Sequence, residues 1–335
     1  MTRHSVTVAI PTYKNFGLTI GYTLKALTMQ TYKDFRVLIV YKPYPGDNTL
    51  NIIDEFKERL DIDILIQSNG YFEEALNIIY SNADSNILIL TDDDSIPSST
   101  WLEEHIKLHL RYPKVGVIGG EVIEEPSNSY YKKRLVHRIL RFHKPLLDVL
   151  KSYESFLNDM GLWVYRYRPL NQGEIRKTMY VTGVNMSVKR AIYRDFQLPC
   201  YTIRGLHNEL LLGLYSILKG FHVMHYKGAY IEHLARESLS RTTNSSALKE
   251  LLLENSLTPY GVSRYYKKIN LQKLKFYKLY LQSLKKLLRM LKKKIGPYME
   301  ITPIGLEITL KAIKENKDPK WVRDKLIRVV SMLRT

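Results

Sequence analysis

Residues Ile87 to Pro97 read Ile-Leu-Ile-Leu-Thr-Asp-Asp-Asp-Ser-Ile-Pro. Four apolar residues in a row have the length and character of a buried strand. That strand delivers three consecutive aspartates to its carboxyl end. Side chains alternate along extended chain, so Asp92 and Asp94 are expected on one side and Asp93 on the other. Carboxylates in such a position suit a hard divalent cation, Mn2+ or Mg2+, that also takes phosphate oxygens. The plainer alternative is a solvated acidic turn leading into the next helix.

The flanking sequence repeats the pattern. Short apolar runs occur at Val6–Ile10, Arg36–Tyr41, Ile62–Ile66 and Val115–Ile118, several of them ending at Pro, Thr or Gly. Between them lie Leu18–Gln30, Thr49–Leu60, Phe72–Asn82 and Ser99–Leu110, each long enough for a crossover helix. Strand–helix alternation of this kind predicts an α/β fold with a doubly wound sheet, and such sheets bind ligands at the carboxyl ends of their strands. Further on, Tyr130–Leu150 reads as a basic amphipathic helix broken near Pro145. Regular structure is expected again at Met179–Thr182, then a helix from Asn208 to Lys219 and a strand at His222–Tyr226.

The chain has 335 residues, is 45% apolar, and carries a net charge of +18. This is globular composition, which excludes a disordered or collagen-like chain. A single cysteine, Cys200, excludes an intramolecular disulfide and a cysteine-built metal site. No signal peptide and no stretch of membrane-spanning length stand out. The charge is uneven: from Arg264 to the end there are 20 basic and 5 acidic residues. A basic tail on a nearly neutral body points to an anionic partner for the tail.

Four segments, in order, resemble the family 2 glycosyltransferases, which have the nucleotide-sugar-binding GT-A fold. They are Val6-Thr-Val-Ala-Ile-Pro-Thr-Tyr13, Asp92-Asp93-Asp94, Thr182-Gly-Val-Asn-Met-Ser-Val-Lys-Arg190, and Asn208-Glu209 followed by Gly220, a strand and His233. The resemblance spans roughly residues 5–245. It implies a GT-A domain over 1–245, with 127–178 as a helical or loop insertion on the acceptor side, and a basic helical region over 246–335.

The resemblance also implies roles. Pro11, Thr12, Tyr13, Asn69, Asp92 and Asp93 would bind a UDP- or GDP-linked sugar donor. Asp94 and His233 would hold Mn2+ or Mg2+. Glu209 would be the base for an inverting transfer. Gly183 and Asn185 would meet the sugar or acceptor. Apart from the resemblance, Trp163 reads either as a sugar-facing ring or as a structural tryptophan, and Arg236 and Arg241 either as phosphate contacts or as solvated surface. Two departures stand out: Asn208-Glu209 replaces the usual Glu-Asp, and Lys42-Pro43 falls where an aspartate pair commonly reads the nucleobase. The Gln-x-x-Arg-Trp motif of processive synthases is absent, which implies transfer of one sugar per event.

From Leu271 to Ile295, Leu274, Tyr277, Leu281, Leu284, Leu288, Leu291 and Ile295 form a seam on one continuous helix carrying nine Lys/Arg. Three readings stand side by side: a coiled coil, a helix packed on its own domain, and an in-plane helix on an anionic membrane. With lipid-linked or glycan acceptors in view, the enzyme is expected on the cytoplasmic face of a membrane. Oligomer formation stays open. The rival readings are a nucleic-acid-binding basic protein, which the charge-neutral motif-bearing part disfavours, and an inactive glycosyltransferase-like scaffold.

Overall fold

The computed structural model describes residues 5–124, 144–165, 169–179, 181–234 and 244–334. Its first part runs β1 (Val6–Tyr13), α1 (Ile20–Thr28), β2 (Phe35–Lys42), α2 (Thr49–Asp54), β3 (Ile62–Ile66), α3 (Phe72–Asn82) and β4 (Ile87–Leu90). These four strands lie parallel in the order β3-β2-β1-β4. Val6, Val8, Ala9 and Ile10 are completely buried, as a strand covered on both faces requires.

β1 runs three residues past its apolar stretch, through Pro11. Ala9 O accepts Thr91 N–H on the β4 side, and the pairing of β1 with β4 ends at Ala9. Pro11 faces that same edge two residues later, where no ladder donor is needed. Beyond this last pair Pro11, Leu90 and Asp92 line the cleft described below.

The chain continues through β5 (Ser95–Pro97), α4 (Trp101–Arg111), β6 (Val115–Gly119) and β7 (Val122–Glu124). After a 3-10 turn at Asp148–Ser152 come β8 (Phe156–Leu157), β9 (Trp163–Val164), β10 (Ile175–Lys177), β11 (Met186–Lys189) and α5 (Arg190–Tyr193). Then follow α6 (Asn208–Leu218), β12 (His222–Tyr226) and β13 (Ile231–His233). β11 inserts antiparallel between β4 and β6, giving a mixed eight-stranded sheet, β10-β12-β6-β11-β4-β1-β2-β3. A small second sheet, β5-β13-β7, crosses its end.

No strand is found among the described residues of the expected Met179–Thr182 stretch; a turn follows it, with Asn185 N–H bonded to Thr182 O at 3.0 Å, and the strand begins at Met186. Most of the expected Tyr130–Leu150 helix lies outside the described residues. Its described end forms the 3-10 turn, with Leu146 and Leu150 buried.

Five helices close the chain: α7 (Ser245–Ser256), α8 (Thr258–Tyr265), α9 (Leu271–Met290), α10 (Pro297–Lys314) and α11 (Pro319–Arg334). α9 is shorter than its heptad seam. Lys292 adopts φ +51° and its neighbour Lys293 bonds back to Leu288 O, which ends the helix before Leu291 and Ile295 join it. Leu274, Tyr277 and Leu281 are buried, and the helix packs against α10. The seam is therefore used within the chain.

α7 is the hub of the helical region. At Gly305 of α10, an added Cβ would stand 1.7 Å from Ser256 Oγ and 2.9 Å from Leu253 O, so only glycine permits this approach. One continuous hydrophobic cluster joins Leu88 and Val117 of the sheet, Leu211 and Leu214 of α6, and Leu253, Leu306, Val322 and Leu326 of the terminal helices. Among the described residues no helix is long and apolar enough to cross a membrane.

Candidate active site

The aspartates sit in the turn that carries the chain from β4 in the large sheet to β5 in the small one. Ser95 Oγ donates to Asp92 O at 2.9 Å and lies 2.6 Å from Thr91 Oγ1, fixing the turn. β5 pairs antiparallel with β13, which sets His233 opposite Ser95, and Leu234 N–H bonds Asp94 O at 2.9 Å. The two-sheet crossing thus brings together residues 139 apart in sequence: His233 Nε2 lies 2.9 Å from Asp94 Oδ1 and 3.8 Å from Asp92 Oδ2. One ligand atom from each of the three falls within 4.8 Å of the others.

Two carboxylates and an imidazole form a donor set that fits Mn2+ or Mg2+. Crowding of protein around Asp92 and the neighbouring charge of Asp94 push its pKa up to about 7. That is the electrostatic situation a cation relieves.

Asp93 turns the other way, as alternation requires. It is buried and accepts from Thr12 Oγ1 at 2.5 Å, while its backbone carbonyl accepts from Asn15 Nδ2 at 3.3 Å. Thr12 and Asp93 therefore tie the end of β1 to the aspartate turn. Tyr13, next along, is exposed. Its ring stands edge-on to Tyr44 at 5.9 Å, with Lys42 Nζ 5.0 Å above it. Lys42 Nζ also donates to Gly70 O. Asn69 is exposed and Gly70 half-buried at a bend, where the Asn69 carbonyl accepts from Gln67 Nε2 at 2.9 Å. An aromatic and cationic shelf thus occupies the strand ends where the resemblance placed an aspartate pair.

Glu209 stands in the first turn of α6. Its Oε1 accepts Gly183 N–H at 3.1 Å, and an added Cβ at Gly183 would lie 2.6 Å from that oxygen. The residue must be glycine for the carboxylate to approach the 183 backbone. Burial raises the Glu209 pKa above its ordinary value. Pro11, Asp92, Gly183 and Glu209 line one cavity, floored by Tyr80, Leu90 and Met186. Trp163 packs its ring 5.3 Å from His207, immediately before α6.

Asn185 is a correction. Its Nδ2 donates to Glu121 O (2.9 Å) and Ala229 O (2.7 Å), so its Oδ1 is the acceptor for Trp101 Nε1 and His105 Nε2, both 2.9 Å away. With four bonds made and no exposure, it has nothing left for a sugar; it knots β11, α4 and the small sheet together. His105 and His109 share Ser187 Oγ, each at 2.8 Å, and burial lowers their pKa values to about 4 and about 3. Both are neutral core groups. Arg236 and Arg241 lie outside the described residues.

The sequence reading missed the segment that leads into α6. All five backbone amides from 202 to 206 are bonded. Thr202 N–H donates to Glu73 Oε2 (2.7 Å), Ile203 and Arg204 N–H to Glu254 Oε1 (2.8 Å each), and Leu206 N–H to Glu254 Oε2 (3.4 Å). Gly205 N–H donates to Thr202 Oγ1 at 3.1 Å. His207 Nε2 meets Asn255 Oδ1 at 2.7 Å, and Arg204 Nε donates to Glu250 at 2.9 Å. Arg323 of α11 reaches Glu73 at 3.2 Å. The terminal helices therefore hold the approach to Glu209. The one signal in the sequence was a glutamate, Glu254, set directly after Leu251-Leu252-Leu253.

A mixed sheet with an acidic turn at a central strand end, facing a carboxylate across one cavity, defines a nucleotide-sugar glycosyltransferase of the GT-A kind. The chain carries a glycosyl transferase family 2 domain, the model of which matches residues 7–173. Its structure is similar to mannosyltransferase PcManGT from Pyrobaculum calidifontis, solved in complex with GDP-Man and Mn2+ (TM-score 0.52, 15% identity, 98% of this chain and 74% of that one). It is also similar to S. aureus TarS 1-349 in complex with UDP-GlcNAc (TM-score 0.50, 13% identity, 93% of this chain and 92% of that one). At these identities the likeness is one of fold. No curated protein matches the sequence.

Proposed function

We propose that the protein is a metal-dependent, inverting transferase. It moves a single sugar from a UDP- or GDP-linked donor to a hydroxyl of a glycan or lipid-linked acceptor, at the cytoplasmic face of a membrane. The observation that carries this reading is the cavity lined by both Glu209 and Asp92, the latter clustered with Asp94 and His233.

Asp94 and His233, with Asp92, are the residues that would hold Mn2+ or Mg2+. A cation bound there supplies positive charge against the departing diphosphate. Gly183 N–H fixes Glu209 Oε1 and so orients the carboxylate toward the cavity. Burial keeps Glu209 basic enough to take the proton of the attacking hydroxyl. One base and one displacement invert the anomeric centre. Trp163, beside the helix that carries Glu209, offers an apolar face to a sugar ring. Tyr13, with Tyr44 and Lys42, forms the surface for the nucleobase.

The test is a panel of nucleotide sugars with Mn2+, followed by thermal shift and by donor turnover. One donor should raise the melting temperature and be turned over, and Asp94→Ala should lower turnover by at least about a hundredfold. If no donor binds, or if Asp94→Ala turns over like the wild type, the reading falls. Binding without turnover would favour the inactive-scaffold reading instead.

A further inference from the structure

Helix α9 has three faces. Leu274, Tyr277 and Leu281 pack inward against α10. At about 100° per residue, Phe276, Leu279, Tyr280, Leu287 and Met290 gather in a separate arc of roughly 100° on the outside. All five are exposed, Phe276 by 77% and Met290 by 72%. Between the two arcs run Lys275, Lys286 and Arg289, all exposed and without an ion pair among the described residues. Lys278 and Lys273, by contrast, are bonded to Glu307 and Asp159.

The packing within the chain explains the inner face and leaves the outer one unexplained. An exposed apolar arc of this size marks an interaction surface. The cations beside it decide the partner. A second copy of the helix would bring like charges together, and from Asn255 to Met299 there is no acidic residue to offset them. An anionic bilayer satisfies both elements: the apolar side chains enter the acyl boundary while the lysines stay at headgroup level.

We infer that the outer face of α9 is a docking surface for an anionic lipid bilayer. This deepens the membrane-face reading above and rests on it only for the reason why a transferase would need such a surface.

The experiment is vesicle flotation of the full chain, with phosphatidylcholine vesicles that contain or lack phosphatidylserine. The wild-type protein should float with the anionic vesicles, and added salt should release it. Two variants probe the two elements: Phe276→Ser/Leu287→Ser/Met290→Ser, and Lys275→Glu/Lys286→Glu/Arg289→Glu. Each should lower partitioning by about tenfold or more, with an unchanged melting temperature. Equal flotation with and without phosphatidylserine overturns the inference, as does a variant that floats like the wild type. So does a concentration-dependent dimer that the serine variant abolishes. Donor turnover measured without vesicles separates the two readings. A protein that floats but turns over no donor removes the reaction and leaves the surface standing. One that turns over donor but never floats removes the surface alone.

Discussion

The aspartate turn at Asp92–Asp94 and the segment 202–206, which leads into the helix of Glu209, are held by different means. The turn is local. A buried strand ends, three carboxylates follow, and Ser95 Oγ closes the geometry by meeting Thr91 Oγ1 and the Asp92 carbonyl. The segment before Glu209 makes only one bond of its own, from Gly205 to Thr202. Its other amides are held by Glu73 from α3 and by Glu254 from α7, some fifty residues further along the chain. Both kinds of support yield a well-placed carboxylate. Only the first can be altered without consequences at the far end of the molecule.

Substitutions can break this comparison at either side. The largest effect is expected at Glu209 itself. Glu209→Gln keeps the contact to Gly183 but removes the base, and should lower kcat by about a hundredfold or more with donor KM little changed. The wild-type profile should agree. A base must be deprotonated, and burial raises the Glu209 pKa, so turnover should persist above that raised value. It should disappear, as the pH falls, at a point above the ordinary carboxylate range. A profile that stays flat down to ordinary glutamate values would assign the base elsewhere.

A smaller effect is expected at Glu254. Glutamine keeps an acceptor for Ile203 and Arg204 but turns an N–H group toward Leu206, so the segment should shift. We expect kcat to fall by about tenfold, with donor affinity preserved. Stability adds a second readout. Burial, with help from the charge of Glu73, pushes the Glu254 pKa up to about 7. The folded chain thus holds a proton that the unfolded chain releases near pH 4.5. The Glu254 contribution is fullest below that point and declines as pH rises to about 7. In Glu254→Gln the melting temperature should vary less over this window. A variant with wild-type kcat would show that the terminal helices do not govern the base.

The smallest catalytic effect is expected at Gly305. Alanine there forces Ser256 and the Leu253 backbone to move. It should cost about 1–3 kcal/mol in chemical denaturation. Residual folded protein should keep its kcat, because Ser256 lies on the side of α7 away from the 202–206 amides.

What could be read from the sequence follows the same division. The strands β1 to β4, the helix Phe72–Asn82 and the Asp92–Asp94 turn each express a short-range pattern, and they occur where the pattern puts them. The resemblance supplied Glu209 and His233, which periodicity alone would have left as ordinary helix and strand-end residues. Asn185 was misjudged because a polar residue in a motif looks the same whether it faces a ligand or a core. Its four partners come from α4, the residue before β7 and the turn between β12 and β13, and none of them is near in sequence. Glu73, Glu250 and Glu254 were passed over for a related reason. Glutamates on helices normally face water, and only the docked helices show that these do not. The seam of α9 was visible, but its partner α10 was not, because Pro303 and Gly305 argue against a helix until close packing explains them.

The clamp on 202–206 bears on how small a working version of this enzyme can be made. The family match stops at residue 173, and even a generous cut after His233 would retain the metal group, the base and every strand of the sheet. Such a fragment would leave Ile203, Arg204 and Leu206 without their acceptor and strip the cover from the leucines of α6. Chimeras that graft the donor cleft onto another acceptor module should therefore carry α7 with them, and the natural crossover point lies after this helix, not at the edge of the recognised domain.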